Sequence, residues 1–205
     1  MTRTGRRYAG AVLAAGAVSA LVAGCAQAPV APPQIPPTTA TAVHQDARIT
    51  LPVTVGIAFH HPGLSDRTEY EVLFTVQQAL RAMVQAEYST NGQDSALAEY
   101  WSGSGLTEVN AQIKQWTAHQ LQPVGMIVIE NTRYTPADGE EPATVTFCAD
   151  WSHVVRGESR THVVGTAVQS KGARPAYEQF GLVRAKDKRW RVDSMTTTPN
   201  SPVCP

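Results

Sequence analysis

The sequence predicts an α+β domain in which N-terminal helices pack against a curved antiparallel sheet. Three observations carry this. Between Asp66 and Pro123 apolar residues recur at helical spacing, and from Met126 onward they alternate with polar ones. Turn-forming residues punctuate the second half at short intervals. Residues 48–205 have the size of one ordinary domain, so the helices and strands must share a core. Helices segregated ahead of strands then pack on one face of the sheet.

The elements follow in order. Ile49 to Phe59 alternates loosely and reads as a short strand or an extended lead-in. His60-His61-Pro62-Gly63 is a turn. Asp66 is placed as an N-cap, with Glu69 three residues on as its capping-box partner. Tyr70, Leu73, Phe74, Gln77, Leu80, Val84 and Tyr88 share a face, which predicts an amphipathic helix over roughly 67–89, stopped by Asn91-Gly92. A short helix runs from Asp94 through Trp101, and Ser102-Gly103-Ser104-Gly105 breaks it. Val109, Ile113, Trp116 and Leu121 mark a third helix, ended by Pro123.

Strands begin with Met126-Ile127-Val128-Ile129 and continue to Arg133-Tyr134. In 143–151 the apolar residues Ala143, Val145, Phe147, Ala149 and Trp151 hold the odd positions, as in a half-buried strand. Arg156-Gly157-Glu158-Ser159 predicts a hairpin with Gly157-Glu158 as a two-residue loop, and Thr161 to Gln169 returns. Tyr177 to Ala185 and Trp190 to Met195 are the last strands, joined at Asp187-Lys188.

Ahead of the domain lies a segment of different character. Arg3, Arg6 and Arg7 precede the apolar run Ala11 to Ala23, which is too short for a membrane-spanning helix. Leu21-Val22-Ala23-Gly24-Cys25 ends it. The order resembles a bacterial lipoprotein signal, with residues 1–24 removed and Cys25 lipidated. That resemblance implies export and a lipid anchor on the outer face of the cell membrane. Residues 25–47 are proline-rich and uncharged over most of their length, as expected of a disordered tether. Three of the 17 basic residues fall in the signal, leaving 14 against 17 acidic ones. No basic patch remains, which argues against nucleic acid as a partner.

Cys148 and Cys204 remain after Cys25. In an exported chain a disulfide between them is the simplest arrangement; two free thiols are the alternative. No Gly-x-Ser-x-Gly, phosphate-binding glycine loop, His-Glu-x-x-His or Cys-x-x-Cys motif occurs.

Several segments together resemble the NTF2-like (nuclear transport factor 2-like) fold, and more narrowly the small NTF2-like lipoproteins of actinobacteria. They are Leu97-Ala98-Glu99-Tyr100, the helix through Val109 and Ile113, the Cys-x-Asp-x-Ser pattern of Cys148, Asp150 and Ser152, and Lys188-Arg189-Trp190-Arg191-Val192. The resemblance covers roughly residues 66–204. It implies a cone, a bent sheet wrapped around a long helix, with the two cysteines tying the tail to the sheet. It also allows a face-to-face dimer.

Candidate chemistry is sparse. Asp150 has the parity of Cys148 and Thr146, opposite the apolar set, so it is expected to face away from the packed side and cap a turn or pair with a base. The competing role is a general base in the cone, as in some NTF2-like enzymes. With a loop at Gly157-Glu158, His153 faces His162 at about 5 Å between Cβ atoms. Two facing imidazoles suit a metal or a pH response, but no third ligand is fixed, so no metal is expected. His60 and His61 point opposite ways on an extended chain. Tyr70, Tyr88, Tyr100, Trp101, Trp116 and Trp151 are core residues or, alternatively, the lining of a cavity in the cone.

The expected function is a non-catalytic, membrane-anchored envelope protein that binds a protein partner or a small hydrophobic ligand, without a cofactor. Asp150, His153, His162, Trp116 and Tyr70 are the candidate pocket residues. The alternative is an NTF2-like enzyme: an isomerase, dehydratase or hydrolase.

Overall fold

The computed structural model describes residues 46–61, 63–64, 66–89, 96–138, 141–158, 164–169 and 172–205. The expected signal, nearly all of the tether, Cys25, the Asn91-Gly92 stop and His162 lie outside those residues. The elements are β1 (Val55–Phe59), α1 (Arg67–Tyr88), α2 (Leu97–Tyr100), α3 (Gly103–Ala118), β2 (Leu121–Thr135), β3 (Ala143–Asp150), β4 (Val154–Glu158), β5 (Val164–Ala167), β6 (Ala176–Arg184) and β7 (Trp190–Thr198).

The long β2 organises the sheet. Gly125 lies between Val55 of β1 and Val154 of β4, and Ile129 lies between Phe59 of β1 and Ala149 of β3. So β1 flanks one side of β2, while β3 and then β4 run along the other. β6 pairs with β3, β5 with β4, and β7 closes the edge beyond β6. This is the α+β architecture expected, a curved sheet with helices against it.

Four expectations need correction. The sheet is not wholly antiparallel, because β1 pairs with β2 in parallel. Parallel pairing requires a long crossover, and α1, α2 and α3 supply it. The third helix ends at Ala118 rather than Pro123: Gln120, at φ 53°, turns the chain, and Pro123 sits inside β2 opposite Arg156. There β1 has not begun to pair, so β2 is an edge on that side and tolerates a residue without an N–H. Ser102-Gly103-Ser104-Gly105 follows the end of the short helix, as expected of a break, but Gly103, Ser104 and Gly105 are themselves helical, since α3 starts at Gly103.

The fourth correction concerns the hairpin. Gly157 and Glu158 belong to β4, with Val155 opposite Ala167 and Gly157 opposite Val164. Residues 159–163 lie outside the described residues. A register shift lies between the two pairs, and Gly165 permits it: a Cβ there would collide with the Arg156 carbonyl. In this register residue 153 falls beyond Ala167; residue 162, its expected partner, lies outside the described residues.

α1 crosses the inner face of the sheet. Asp66 caps it, its side chain accepting from the Glu69 N–H at 2.8 Å. Its buried stripe is Val72, Val76, Ala79, Leu80, Met83, Val84 and Glu87. The inward residues of β3 and β6 meet it: Val145, Phe147, Phe180 and Leu182. Trp101 is 1% exposed and packs edge-on to Phe180 at 5.3 Å, which packs edge-on to Phe147 at 5.0 Å. The Trp101 indole N–H donates to the Ala79 carbonyl at 2.9 Å. Cys148 and Cys204 form a disulfide that fastens the tail beyond β7 to β3.

Candidate functional site

The chemistry-bearing side chains gather where α1 and α3 leave a gap above the sheet. Leu80, Met83 and Val84 of α1, Ile127 and Ile129 of β2, Phe147 of β3 and Phe180 of β6 form the apolar walls of a cavity. Its polar lining comes from Gln112, Glu178 and Thr197, with Trp151 at the rim of β3. The water-holding space is about 40 Å³, room for a few water molecules.

Strand parity puts Glu178 there. Phe180 and Leu182 are buried on the inner face of β6, and Glu178 is two residues back on the same face. It sits in register between Phe147 and Thr197. The Thr197 hydroxyl donates to Glu178 Oε2 at 2.6 Å. Burial pushes the Glu178 carboxyl up to about 7, although the Thr197 hydrogen bond acts in the opposite direction.

A second acid lies behind Gln112. Glu87 occupies the inner stripe of α1, four residues after Met83, and is 1% exposed. Gln112 Nε2 donates to Glu87 Oε1 at 2.6 Å, while Oε2 has no hydrogen-bond partner among the described residues. Burial pushes this carboxyl up to about 7 as well, opposed by the Gln112 hydrogen bond. Near neutral pH both acids are therefore poised to carry protons, and a protonated carboxyl donates a hydrogen bond.

The residues singled out from sequence fall elsewhere. Asp150 ends β3 and accepts from the Ser152 N–H at 2.8 Å, capping a turn. His153 is exposed in that turn, its carbonyl accepting from the Met126 N–H. Trp116 is buried on α3 beneath the Arg156 guanidinium, 5.7 Å from it. Tyr70 stacks on Phe74 at 6.3 Å along α1. None of these four lines the cavity, and His162 is outside the described residues. Of the six aromatics weighed for a lining, only Trp151 touches it. Among the described residues, no group of three or more His, Cys, Asp or Glu could hold a metal ion, and no helix is long and apolar enough to cross a membrane.

Sequence reasoning passes over Glu87 and Glu178 because it looks for chemistry opposite the apolar sets, whereas both acids sit within them. The signal is nevertheless present: an acid at i+4 from Met83 and i+3 from Val84, and an acid two residues before Phe180.

No protein-family model matches the chain, and no curated protein matches it. Among solved structures it is similar to a ketosteroid isomerase-like protein from Erwinia carotovora atroseptica, at 14% identity and TM-score 0.40, covering 65% of this chain and 96% of that one. It is also similar to a proposed ketosteroid isomerase from Shewanella frigidimarina, at 12% identity and TM-score 0.32, covering 62% and 94%.

Proposed function

We propose that this chain is an exported lipoprotein, held to the outer face of the cell membrane through Cys25, whose domain is a non-catalytic binding module at the cell envelope. Residues 25–47 serve as its tether. The observation behind the binding role is a largely filled interior: Trp101, Phe147 and Phe180 occupy the centre, and the cavity between the helices and the sheet holds about 40 Å³, whereas the roomier cleft of about 580 Å³ lies on the outside, beside Cys148 and Cys204. A drug-sized molecule needs several hundred Å³, so the working surface of such a module is its exterior, with an envelope protein as partner.

The anchor is tested by fractionating cells that express the wild type and Cys25→Ala. The variant should leave the membrane fraction and take up no labelled fatty acid. Membrane retention of the variant would remove the anchor from the proposal.

One observation favours a second reading. Glu178 places a protonatable carboxyl in an apolar wall, which suits a small, mostly apolar molecule with a single hydrogen-bonding group, as substrate or as ligand. Titrating small ketones and alcohols against the labelled protein tests it. Shifts confined to Ile127, Phe147 and Phe180, and lost in Glu178→Gln, would favour a ligand-binding or enzymatic cone over the filled module.

A further inference from the structure

Glu87 has a position that neither reading uses. It sits at the contact of α1 with α3, and among the described residues its side chain is hydrogen-bonded by Gln112, which forms a wall of the cavity. A carboxylate here would be charged, fully buried and held by one neutral donor, an arrangement that is strongly unfavourable unless water reaches it.

The ionisable groups on the surrounding elements do not relieve that charge. Glu178 of β6 lines the cavity too and is itself an acid. Arg156 of β4 lies over Trp116. Asp193 of β7 accepts from the Ser102 hydroxyl, and Glu99 of α2 pairs with Arg48 and Arg189. Asp150 of β3 accepts from Ser152. Glu108 and Lys114 of α3 are exposed, and on α1 Arg81 and Tyr88 are half-buried. Among the described residues, burial raises the Glu87 carboxyl and the Gln112 hydrogen bond opposes it.

The two walls around Glu87 are not equally held. α1 is buried along its length under sheet and helices, whereas α3 buries only Gly105, Val109, Ile113 and Trp116 and leaves its outer side in solvent. We propose that Glu87 is a proton-dependent pin between α1 and α3: with its proton it keeps Gln112 seated, and without it α3 loosens and the cavity opens to water. The cavity is then open or closed according to the pH outside the cell membrane.

The test is hydrogen exchange of the full chain in detergent, corrected for intrinsic rates, between about pH 5.5 and about pH 8.5. Protection of residues 106–118 should fall about tenfold or more across that range in the wild type and stay constant in Glu87→Gln. Glu178→Gln should behave as the wild type. Constant protection in the wild type, an equal fall in Glu87→Gln, or a fall abolished by Glu178→Gln would each overturn the pin. A direct readout covers a variant that fails to fold: carbon-13 carboxyl shifts of the wild type labelled at glutamate. A glutamate signal still protonated at about pH 6 and retained in Glu178→Gln supports the proposal, and titration of every glutamate other than Glu178 below about pH 5 overturns it.

Discussion

Replacing Cys148 and Cys204 together by alanine removes a link between residues 56 positions apart. The bridge acts on the unfolded chain, whose ends it keeps together. In the chain-entropy account a 15-residue loop is worth about 3 kcal/mol and a 100-residue loop about 4.7, so this loop is worth about 4 kcal/mol. The native state offers little compensation. Cys148 and Cys204 are 3% and 1% exposed, and alanine at each leaves only a small packing defect. The tail keeps weaker ties, with the Ser201 N–H on the Pro175 carbonyl and Asn200 Oδ1 accepting from the Arg174 N–H. Fraying of residues 199–205 should therefore precede global unfolding in the variant. Urea unfolding at fixed pH measures the effect. The midpoint should drop by the equivalent of about 4 kcal/mol, and the slope should rise because the unlinked chain exposes more surface. A loss below about 1 kcal/mol with an unchanged slope would refute the loop-closure argument.

Other predictions follow from single side chains. Glu87 and Glu178 hold protons up to about 7 in the folded protein, against 4.5 for a freely solvated glutamate, so the native state binds more protons between those values. Their contribution to stability is complete below about pH 4.5, declines as pH rises to about 7, and stays lost above it; for Glu87 the decline is at most about 3 kcal/mol. Denaturation midpoints that rise over this window would contradict it, and the double Glu→Gln variant should flatten the profile. Gly103 has φ +50°, and a Cβ there would strike the Asp193 carboxylate, so Gly103→Ala should lose about 2 kcal/mol or more in urea unfolding. Asp66→Ala should lose about 1 kcal/mol as the Glu69 N–H loses its acceptor, with helix content otherwise retained by circular dichroism.

Local signals carry most of the fold. The Asp66 cap, the α1 stripe and the odd-position set of β3 each depend on residues close in sequence, and each is legible there. The misplaced features depend on partners far away. Pro123 reads as a helix stop from local rules, yet it sits in β2 because Arg156 pairs with it and β1 begins two residues later. Gly157-Glu158 has loop chemistry, yet Gly165 admits a bulged register that extends β4 through it. The site is hidden for a related reason: Glu87 and Glu178 stand where their elements demand apolar residues. Such violations of pattern are where function or strain is expected.

The start of the domain carries a further constraint on the proposed anchor. Arg48 bridges Asp46 and Glu99; Glu99 also meets Arg189, and Asp187 holds Arg189 and Arg191. The Tyr100 hydroxyl donates to Asp46 at 2.8 Å, and the Asp46 N–H donates to Gln78. The Arg48 hydrogen bond holds the Asp46 carboxyl well below the usual carboxylate range. Pairs this exposed add little to global stability and weaken with salt. Their effect is positional: the chain enters the domain at a spot fixed against α1, α2 and the β6–β7 turn, rather than swinging from Leu51. If residues 25–47 are the tether, this network sets which face the domain turns to the membrane. Replacing Arg48 with alanine should leave the urea midpoint within about 1 kcal/mol of wild type while raising hydrogen exchange at residues 46–51. Unchanged exchange there would show that the apolar seat of Ile49, 3% exposed, is what fixes the entry point.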